Sequence, residues 1–160
     1  MASRYNGVVP FVIRDVQPED FETLWRMDQE CFPPGIAYSR EDLKVYMRHR
    51  GAFTLVAADP AGGTIAGFVV VHDGPTGHII TIDVMNATRR LGVGSLLLQG
   101  AEERLRAAGS RAVSLETAVD NLAALHFYKR HGYSVTRTWP RYYPNGVDAL
   151  VMTKMLEALP

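Results

Sequence analysis

The sequence predicts a mixed α/β protein in which a mostly antiparallel, twisted sheet contains one central parallel β-α-β crossover and is flanked by helices. Three β-rich runs, AFTLVAA, TIAGFVVVH and GHIITIDVM, are separated by the turn compositions DPAGG and DGPTG, which is typical of an antiparallel meander. A glycine-led helical pattern then leads into another strand-like run, AVSLETA, and this order implies a parallel crossover. Two further runs, YSVTRTW and DALVMTKML, close the chain as strands.

The helical segments are predicted from the spacing of their apolar residues. FVIRDV is predicted as a first strand, and an amphipathic helix follows Pro18 towards Cys31. SREDLKVYMRHR is predicted as a second helix with Ser39 as its N-cap, and NLAALHFYKRHG as the last helix. In the glycine-led helix the residues expected to face the core are Val93, Leu96, Leu97, Ala101, Leu105 and Ala108.

Length and charge limit the classes of function. The chain has 160 residues, so we expect one domain over residues 1–160, with residues 1–10 as a flexible segment. Seventeen basic residues balance 17 acidic ones, which gives no long-range field of the kind that attracts nucleic acid or an anionic membrane. Any anion site must therefore be local.

The compartment is predicted from what the sequence lacks. MASRYNGVVP has no apolar core of signal-peptide length, and the longest apolar run, IAGFVVV, is too short to span a bilayer. The single cysteine, Cys31, cannot form an internal disulfide, and its apolar context favours a structural role over a catalytic one. We expect a cytoplasmic protein, either a monomer or a homodimer. His126 and His131 are spaced poorly for one helical face, so no metal site is predicted.

The stretch RRLGVG, from Arg89 to Gly94, is predicted to bind phosphate. The first N–H groups of a helix lack intrahelical partners and favour an anion, glycines allow close approach, and arginines can bind phosphate oxygens. A P-loop signature is absent, and a Rossmann fingerprint fails because Leu97 occupies its third small position. The remaining pattern is [QR]-x-x-G-x-[GA], which the stretch fits. The alternative is a tight turn with solvated arginines.

With the order of elements around it, this motif makes the chain resemble the GNAT superfamily of acetyl-CoA-dependent N-acetyltransferases. The resemblance covers roughly residues 11 to 156 and is strongest from Ile79 to Tyr133. It implies acetyl-CoA as cofactor, with the pyrophosphate on backbone N–H groups of the motif. The implied cofactor-binding residues are Ile82, Val84, Arg89, Arg90, Leu91, Gly92, Val93, Gly94, Ser95, Asn121 and Tyr128.

Two candidates for acid–base chemistry lie after the motif. Strand alternation turns Glu116 away from Val113 and Leu115, and helical spacing places Asn121 and Tyr128 on one stripe. LETAVDNLAALHFYKRHGY resembles the RimI-type ribosomal-protein N-terminal alanine acetyltransferases, which implies Glu116 as general base, through water or directly, and Tyr128 as general acid. Asn121 would then contact the pantetheine arm. The alternatives are a solvated glutamate, a helix N-cap asparagine and a core tyrosine.

Two aromatic segments, CFPPGIAYS and PRYYPNGVDALVMTK, resemble the loops by which protein N-terminal acetyltransferases hold a peptide. The implied substrate contacts are Phe32, Tyr38, Tyr142 and Tyr143. The acceptor is then expected to be the N-terminal α-amine of a protein or peptide. The alternatives are a small-molecule amine acetyltransferase and a non-catalytic acyl-CoA-binding regulatory module, and the aromatic residues could instead belong to the core or to a dimer contact.

Overall fold

The computed structural model describes residues 11–61 and 63–157, and the prediction for residues 1–10 lies outside them. The strands are β1 (Val12–Asp15), β2 (Ala52–Ala58), β3 (Ile65–His72), β4 (Thr76–Val84), β5 (Ala112–Ala118), β6 (Ser134–Trp139) and β7 (Ala149–Met155). The α-helices are α1 (Phe21–Cys31), α2 (Arg40–Arg48), α3 (Val93–Ala107) and α4 (Leu122–Arg130). Short 3-10 helices span Pro18–Asp20 and Asn86–Thr88. Within the described residues, no helix has the length and apolar character needed to cross a membrane.

The strands form a single seven-stranded sheet in the order β1-β2-β3-β4-β5-β7-β6. The strands β2, β3 and β4 form the predicted antiparallel meander, β1 pairs antiparallel with β2, and β5, β7 and β6 also pair antiparallel. The central pair, β4 and β5, is parallel because α3 carries the chain back to the same end of the sheet. The predicted fold class is therefore confirmed.

Helices cover both faces of the sheet. One buried cluster packs α3 and α4 residues such as Leu97, Leu105 and Tyr128 against the sheet. The other packs Leu24 and Met27 of α1 and Leu43 of α2 against the opposite face. We refer to these as the α3 face and the α1 face.

The core stripe of α3 was predicted partly wrongly. Ala108 lies just past the end of the helix and is exposed, and Leu96 is only partly buried and lies outside the core cluster, whereas Leu98 and Glu102 are buried. Glu102 can be buried because Lys154 of β7 donates to its Oε1 at 2.5 Å, which supplies a partner for the charge. Since this partner lies in a distant strand, the helical period alone cannot indicate it.

Two irregularities of β4 shape the centre of the molecule. Val70 pairs with Thr81 and Val71 with Ile79, so Ile80 is an extra residue opposite β3, a β-bulge. Pairing between β4 and β5 ends at Ile79 and Leu115, although β4 continues to Val84. Beyond that point no strand among the described residues pairs with the edge of β4 that faces β5. This opening and the start of α3 lie at the same end of β4.

Candidate active site

The start of α3 presents unpaired backbone donors. Gly92 is the N-cap residue with φ +82°, a conformation suited to glycine, and no side chain caps the helix. The first intrahelical bond runs from the Leu96 N–H to the Gly92 oxygen at 3.0 Å, so the N–H groups just before Leu96 have no intrahelical acceptor. Arg89 and Arg90 are exposed beside them. The arrangement fits a polyanion such as pyrophosphate.

We refer to the unpaired N–H groups at the start of α3 as the cradle. Several residues around the cradle also pack against other parts of the protein. Val93 is 1% exposed and belongs to the core, so it has only its backbone to offer a ligand. A Cβ on Gly94 would meet the Phe127 ring at 3.2 Å, which makes this glycine a contact between α3 and α4. The Ser95 hydroxyl lies 2.9 Å from His131 Nε2 at the end of α4. The motif therefore also fixes how the two helices meet.

The opening between β4 and β5 borders this cradle. Ile82, Val84 and Leu91 are partly buried and pack against the α3-face cluster. The Val84 carbonyl accepts hydrogen bonds from Arg89 Nε at 3.3 Å and from Cys31 Sγ at 3.5 Å. Burial, and then the nearby Asp83, raise the pKa of the Cys31 thiol to about 11, which keeps it protonated at neutral pH. This agrees with a structural role for Cys31.

Glu116 points to the α1 face, as the alternation of β5 predicted. Its Oε2 lies 2.6 Å from His78 Nε2, and His78 is in register with Ser114 across the parallel pair. Because an ionised carboxylate can only accept a hydrogen bond, His78 Nε2 carries the hydrogen in that state. The histidine therefore fixes the orientation of the carboxylate. Both side chains remain partly exposed, with relative accessibilities of 36% for His78 and 20% for Glu116.

Tyr128 lies on the other side of the opening. It is 7% exposed, belongs to the α3-face cluster and stacks edge-on against Tyr133. Burial, then Asp83 and Tyr143, raise the pKa of the Tyr128 hydroxyl. That hydroxyl donates to no described residue, and no hydrogen bond joins it to Glu116. Tyr143 lies near both predicted catalytic side chains. It raises the pKa of Tyr128, and its own pKa is raised by burial first, then by Tyr142 and then by Glu116.

Asn121 has the capping role that the sequence left as an alternative. It is the N-cap of α4, and its Oδ1 accepts from the Ala124 N–H at 3.2 Å. The amide nitrogen of Asn121 donates to no described residue and is available as a donor. A contact with a cofactor therefore stays a prediction, now limited to that nitrogen.

The two aromatic loops meet above Glu116. In the loop between α1 and α2, a Cβ on Gly35 would lie 3.0 Å from Asn145 Cβ in the loop between β6 and β7. The Tyr38 hydroxyl donates to the Ile80 carbonyl at 3.3 Å, and Tyr142 packs edge-on against Tyr143. Burial and then Glu116 raise the pKa of Tyr142, which places this ring near the carboxylate. Phe32 is half-buried at the end of α1, and its predicted contact with substrate stays a prediction.

Sequence reasoning did not single out three side chains at this site. His78 contacts Glu116 across 38 residues, and only the register of two parallel strands brings them together. Asp28 and Asp83 are fully buried next to Tyr38 and Tyr128. A signal was present for Asp83, which interrupts the mostly apolar run IITIDVM, whereas Asp28 lies among polar residues in LWRMDQECF and gave none.

These features define a class of protein before any comparison is made. A helix start that suits pyrophosphate lies next to an opening between strands, with a carboxylate on one side and a buried phenol on the other. Such a site is typical of an enzyme that transfers a group from a phosphate-bearing carrier to an acceptor.

Comparison with known proteins agrees with this class. Residues 21–133 match the model of the Acetyltransferase (GNAT) family. The chain is 32% identical over 157 residues to the N-terminal acetyltransferase A complex catalytic subunit ard1 of Schizosaccharomyces pombe, covering 91% of this chain and 87% of that protein. The crystal structure of Ard1 from Thermoplasma volcanium superposes with a TM-score of 0.84 at 26% identity, covering 94% and 99% of the two chains. The ribosomal-protein-S18-alanine N-acetyltransferase of Escherichia coli shares the fold, with a TM-score of 0.80 at 20% identity and coverage of 94% and 96%.

The chain belongs to the GNAT family of acetyltransferases. It is an acetyltransferase whose cofactor is acetyl-CoA, which supplies the acetyl group as a thioester. The uncapped N–H groups at the start of α3 fit the pyrophosphate of this cofactor, and the unpaired edge of β4 fits an extended arm. We expect the backbone from Gly92 to Ser95, with Arg89 and Arg90, to hold the pyrophosphate.

Gly92 allows a test of the cradle with matched substitutions. Asn and Asp both tolerate φ +82° better than other side chains and differ only in charge. We expect Gly92→Asp to bind acetyl-CoA at least about tenfold more weakly than Gly92→Asn, because a negative charge a few ångströms from a phosphate costs roughly 1–4 kcal/mol. Isothermal titration calorimetry at two salt concentrations measures this, and the difference should shrink at high salt. Equal affinities for the two variants would place the pyrophosphate elsewhere.

Proposed function

We propose that the protein acetylates the N-terminal α-amine of a protein or peptide, with Glu116 as general base and Tyr128 as general acid in a direct transfer. The observation that supports this most is the position of Glu116. Its carboxylate is held by His78 at 2.6 Å beneath two aromatic loops that touch at Gly35 and Asn145. An acceptor entering between these loops reaches the carboxylate before it reaches the opening of the sheet.

Glu116 suits the task of taking a proton from an amine. An acceptor arrives mainly as an ammonium, and only its neutral form has the lone pair that attacks a thioester. The hydrogen bond from His78 leaves the other carboxylate oxygen of Glu116 available to accept a proton, directly or through water. The exposed side of His78 offers a route by which that proton can reach solvent.

Tyr128 suits the opposite task. Burial among apolar side chains keeps its phenol protonated at neutral pH, since the shift of its pKa is upward. No described acceptor competes for its hydrogen. The Tyr128 hydroxyl can therefore donate its hydrogen to the sulfur atom from which the acetyl group departs.

Two arguments favour an α-amine as the acceptor, the fraction of each amine that is unprotonated and the surface that the aromatic loops offer to a peptide. At neutral pH roughly one in ten α-amines is unprotonated, against fewer than one in a thousand lysine side chains, given pKa values of about 8 and 10.4. The tyrosine rings offer apolar walls and hydroxyl groups for a peptide backbone. The yeast relative is named as the catalytic subunit of an N-terminal acetyltransferase complex, and the bacterial enzyme with this fold is named a ribosomal-protein-S18-alanine N-acetyltransferase.

Peptides with one free amine each test the acceptor. A lysine-containing peptide with a free α-amine should gain one acetyl group, and the same peptide with a blocked α-amine should gain none, as read by mass spectrometry. Tyr142→Ala should raise the KM for the peptide by about tenfold, in the range of a lost aromatic contact, and leave the KM for acetyl-CoA unchanged. Val45→Ala, which trims an exposed side chain on α2, is the control. Acetylation of lysine on the blocked peptide, or faster turnover of small polyamines, would contradict the proposal.

A further inference from the structure

Two aspartates lie buried against each other between α1 and β4. Asp28 and Asp83 are both 0% exposed, and no described lysine, arginine or histidine forms an ion pair with either. Asp28 is buried on the side of α1 that carries Leu24 and Met27. Asp83 lies opposite Phe68, so it points to the same α1 face of the sheet. Two adjacent buried carboxylates cannot both be ionised at low cost.

A count of hydrogen bonds leaves one oxygen on each carboxyl group unpaired. Asp28 Oδ2 accepts from the Tyr38 backbone N–H at 2.7 Å, and Asp83 Oδ1 accepts from Thr81 Oγ1 at 2.6 Å. The remaining oxygens, Asp28 Oδ1 and Asp83 Oδ2, are buried and have no partner among the described residues. One proton between these two oxygens would satisfy both of them.

We infer that Asp28 and Asp83 share a single proton, so that the pair carries one negative charge instead of two, and that this acid pair positions the acceptor loop through Tyr38 while limiting the negative charge beside Tyr128. The catalytic half of this inference rests on the proposed function. The shared proton itself does not rest on the proposed function, because it is inferred from burial and from the two unpaired oxygens.

The surroundings of the pair favour the protonated form. Burial raises the pKa of both carboxyl groups, and Asp28 raises that of Asp83 further. The titratable groups that face the pair are Cys31 of α1, Tyr38 of the loop, Arg89 after β4 and Tyr128 of α4. Only Arg89 is a cation, and its side chain is exposed, so its charge is screened.

Tyr38 shows how the pair reaches the acceptor loop. Besides the bond from its N–H to Asp28, its carbonyl accepts from Trp25 Nε1 at 3.2 Å and from Gln29 Nε2 at 2.7 Å. Its hydroxyl binds the carbonyl of the bulge residue Ile80. Tyr38 is thereby fixed to α1 and to β4 at once. If both aspartates ionised, their repulsion would push these two elements apart and shift the loop.

The other effect concerns Tyr128. A negative charge on Asp83 makes the Tyr128 hydroxyl harder to deprotonate, which opposes its role as a proton donor. The shared proton reduces that charge, because the pair then carries one negative charge instead of two. The pair therefore acts through two other residues, and we describe Asp28 and Asp83 as positioning residues.

Asparagine substitutions test the shared proton directly. In Asp83→Asn or Asp28→Asn the amide oxygen keeps the existing hydrogen bond, and the NH₂ group donates to the remaining carboxylate, so each single variant imitates the protonated pair. In the double variant two NH₂ groups face each other without an acceptor. We expect the double variant to lose roughly tenfold more in its folding equilibrium constant than the two single variants predict together. Additive effects would overturn the inference.

The pH dependence of stability gives a second readout. Because the pair has a raised pKa in the folded state, the folded protein holds more protons than the unfolded chain above the ordinary aspartate range. The stability that this proton contributes is thus present at low pH and is lost as pH rises from about 4 through the folded-state pKa. Asp83→Asn should gain in melting temperature relative to the wild type as pH rises. An infrared band of a protonated carboxyl group should be present in the wild type and absent in both single variants, and its absence from the wild type would overturn the inference.

The kinetic arm separates this inference from the proposed function. Asp28→Ala removes the acceptor for the Tyr38 N–H and should raise the KM for the peptide roughly tenfold, whereas Asp28→Asn should restore it, with the KM for acetyl-CoA unchanged in both. If the wild type fails to acetylate any α-amine, the proposed function fails, but the infrared band and the double variant still decide the shared proton. If acetylation proceeds but the infrared band is absent and the effects of the double variant are additive, the shared proton is wrong and the proposed function stands.

Discussion

Replacing Glu116 with glutamine should lower turnover by about 10²–10⁴-fold, the range expected for loss of a general base. Glutamine keeps the size of the side chain and can still accept the hydrogen bond from His78, but it cannot take a proton from the amine. The deficit should be largest at acidic pH and should shrink as pH approaches about 8, where an α-amine loses its proton without help. Steady-state kinetics across this range, with calorimetry for acetyl-CoA, measures both effects.

The control for this variant is Glu103→Gln. Glu103 is an exposed glutamate on α3, so the same change of charge should leave the rate and acetyl-CoA binding as they were. A Glu116→Gln variant that runs near the wild-type rate at every pH would mean that another group takes the proton.

The second large effect is expected at Tyr128. Replacing it with phenylalanine should lower kcat by about 10²-fold or more and leave acetyl-CoA affinity nearly unchanged, because only the hydrogen given to the departing sulfur is lost. Single-turnover rates and calorimetry separate chemistry from binding. The fold should be retained, since the Tyr128 ring supplies the packing and its hydroxyl bonds no described residue.

Tyr133 provides a matched control for Tyr128. Its ring lies 5.8 Å from that of Tyr128, and its buried hydroxyl has no partner among the described residues. Tyr133→Phe should therefore leave the rate unchanged and should not destabilise the protein, because removing an unsatisfied polar group costs little. If the two phenylalanine variants behave alike, the role of Tyr128 is confined to packing.

The elements of the fold could be predicted from the sequence because their signals are local. Alternation in β5 placed Glu116 on the correct face, and the spacing from Arg89 to Gly94 located the start of α3. Ala108 was wrongly predicted to face the core, because the helical period of the apolar residues does not indicate where the last turn of the helix ends. The double role of Gly94 was also missed, since its contact with Phe127 depends on how α4 packs.

Long-range register explains what else the sequence could not predict. His78 and Glu116 meet only because two parallel strands pair with His78 opposite Ser114. Asp28 and Asp83 meet only because α1 crosses the end of β4. No local pattern contains such information, and a relative of known register would have been needed to supply it.

The extra residue in β4 has a consequence for how this strand can change. Along a regular strand His78 and Asp83 would point to opposite faces, because Asp83 lies five positions after His78 and side chains alternate at every position. The bulge at Ile80 reverses the alternation, so one strand offers an imidazole to Glu116 and a carboxyl group to Asp28 on the same side. Deleting one residue here would move the side chains of half of the strand to the opposite face of the sheet, leaving the aspartate on the α3 face with Leu97. In this segment a substitution changes one side chain at a time, whereas an insertion or deletion changes the direction of several side chains at once.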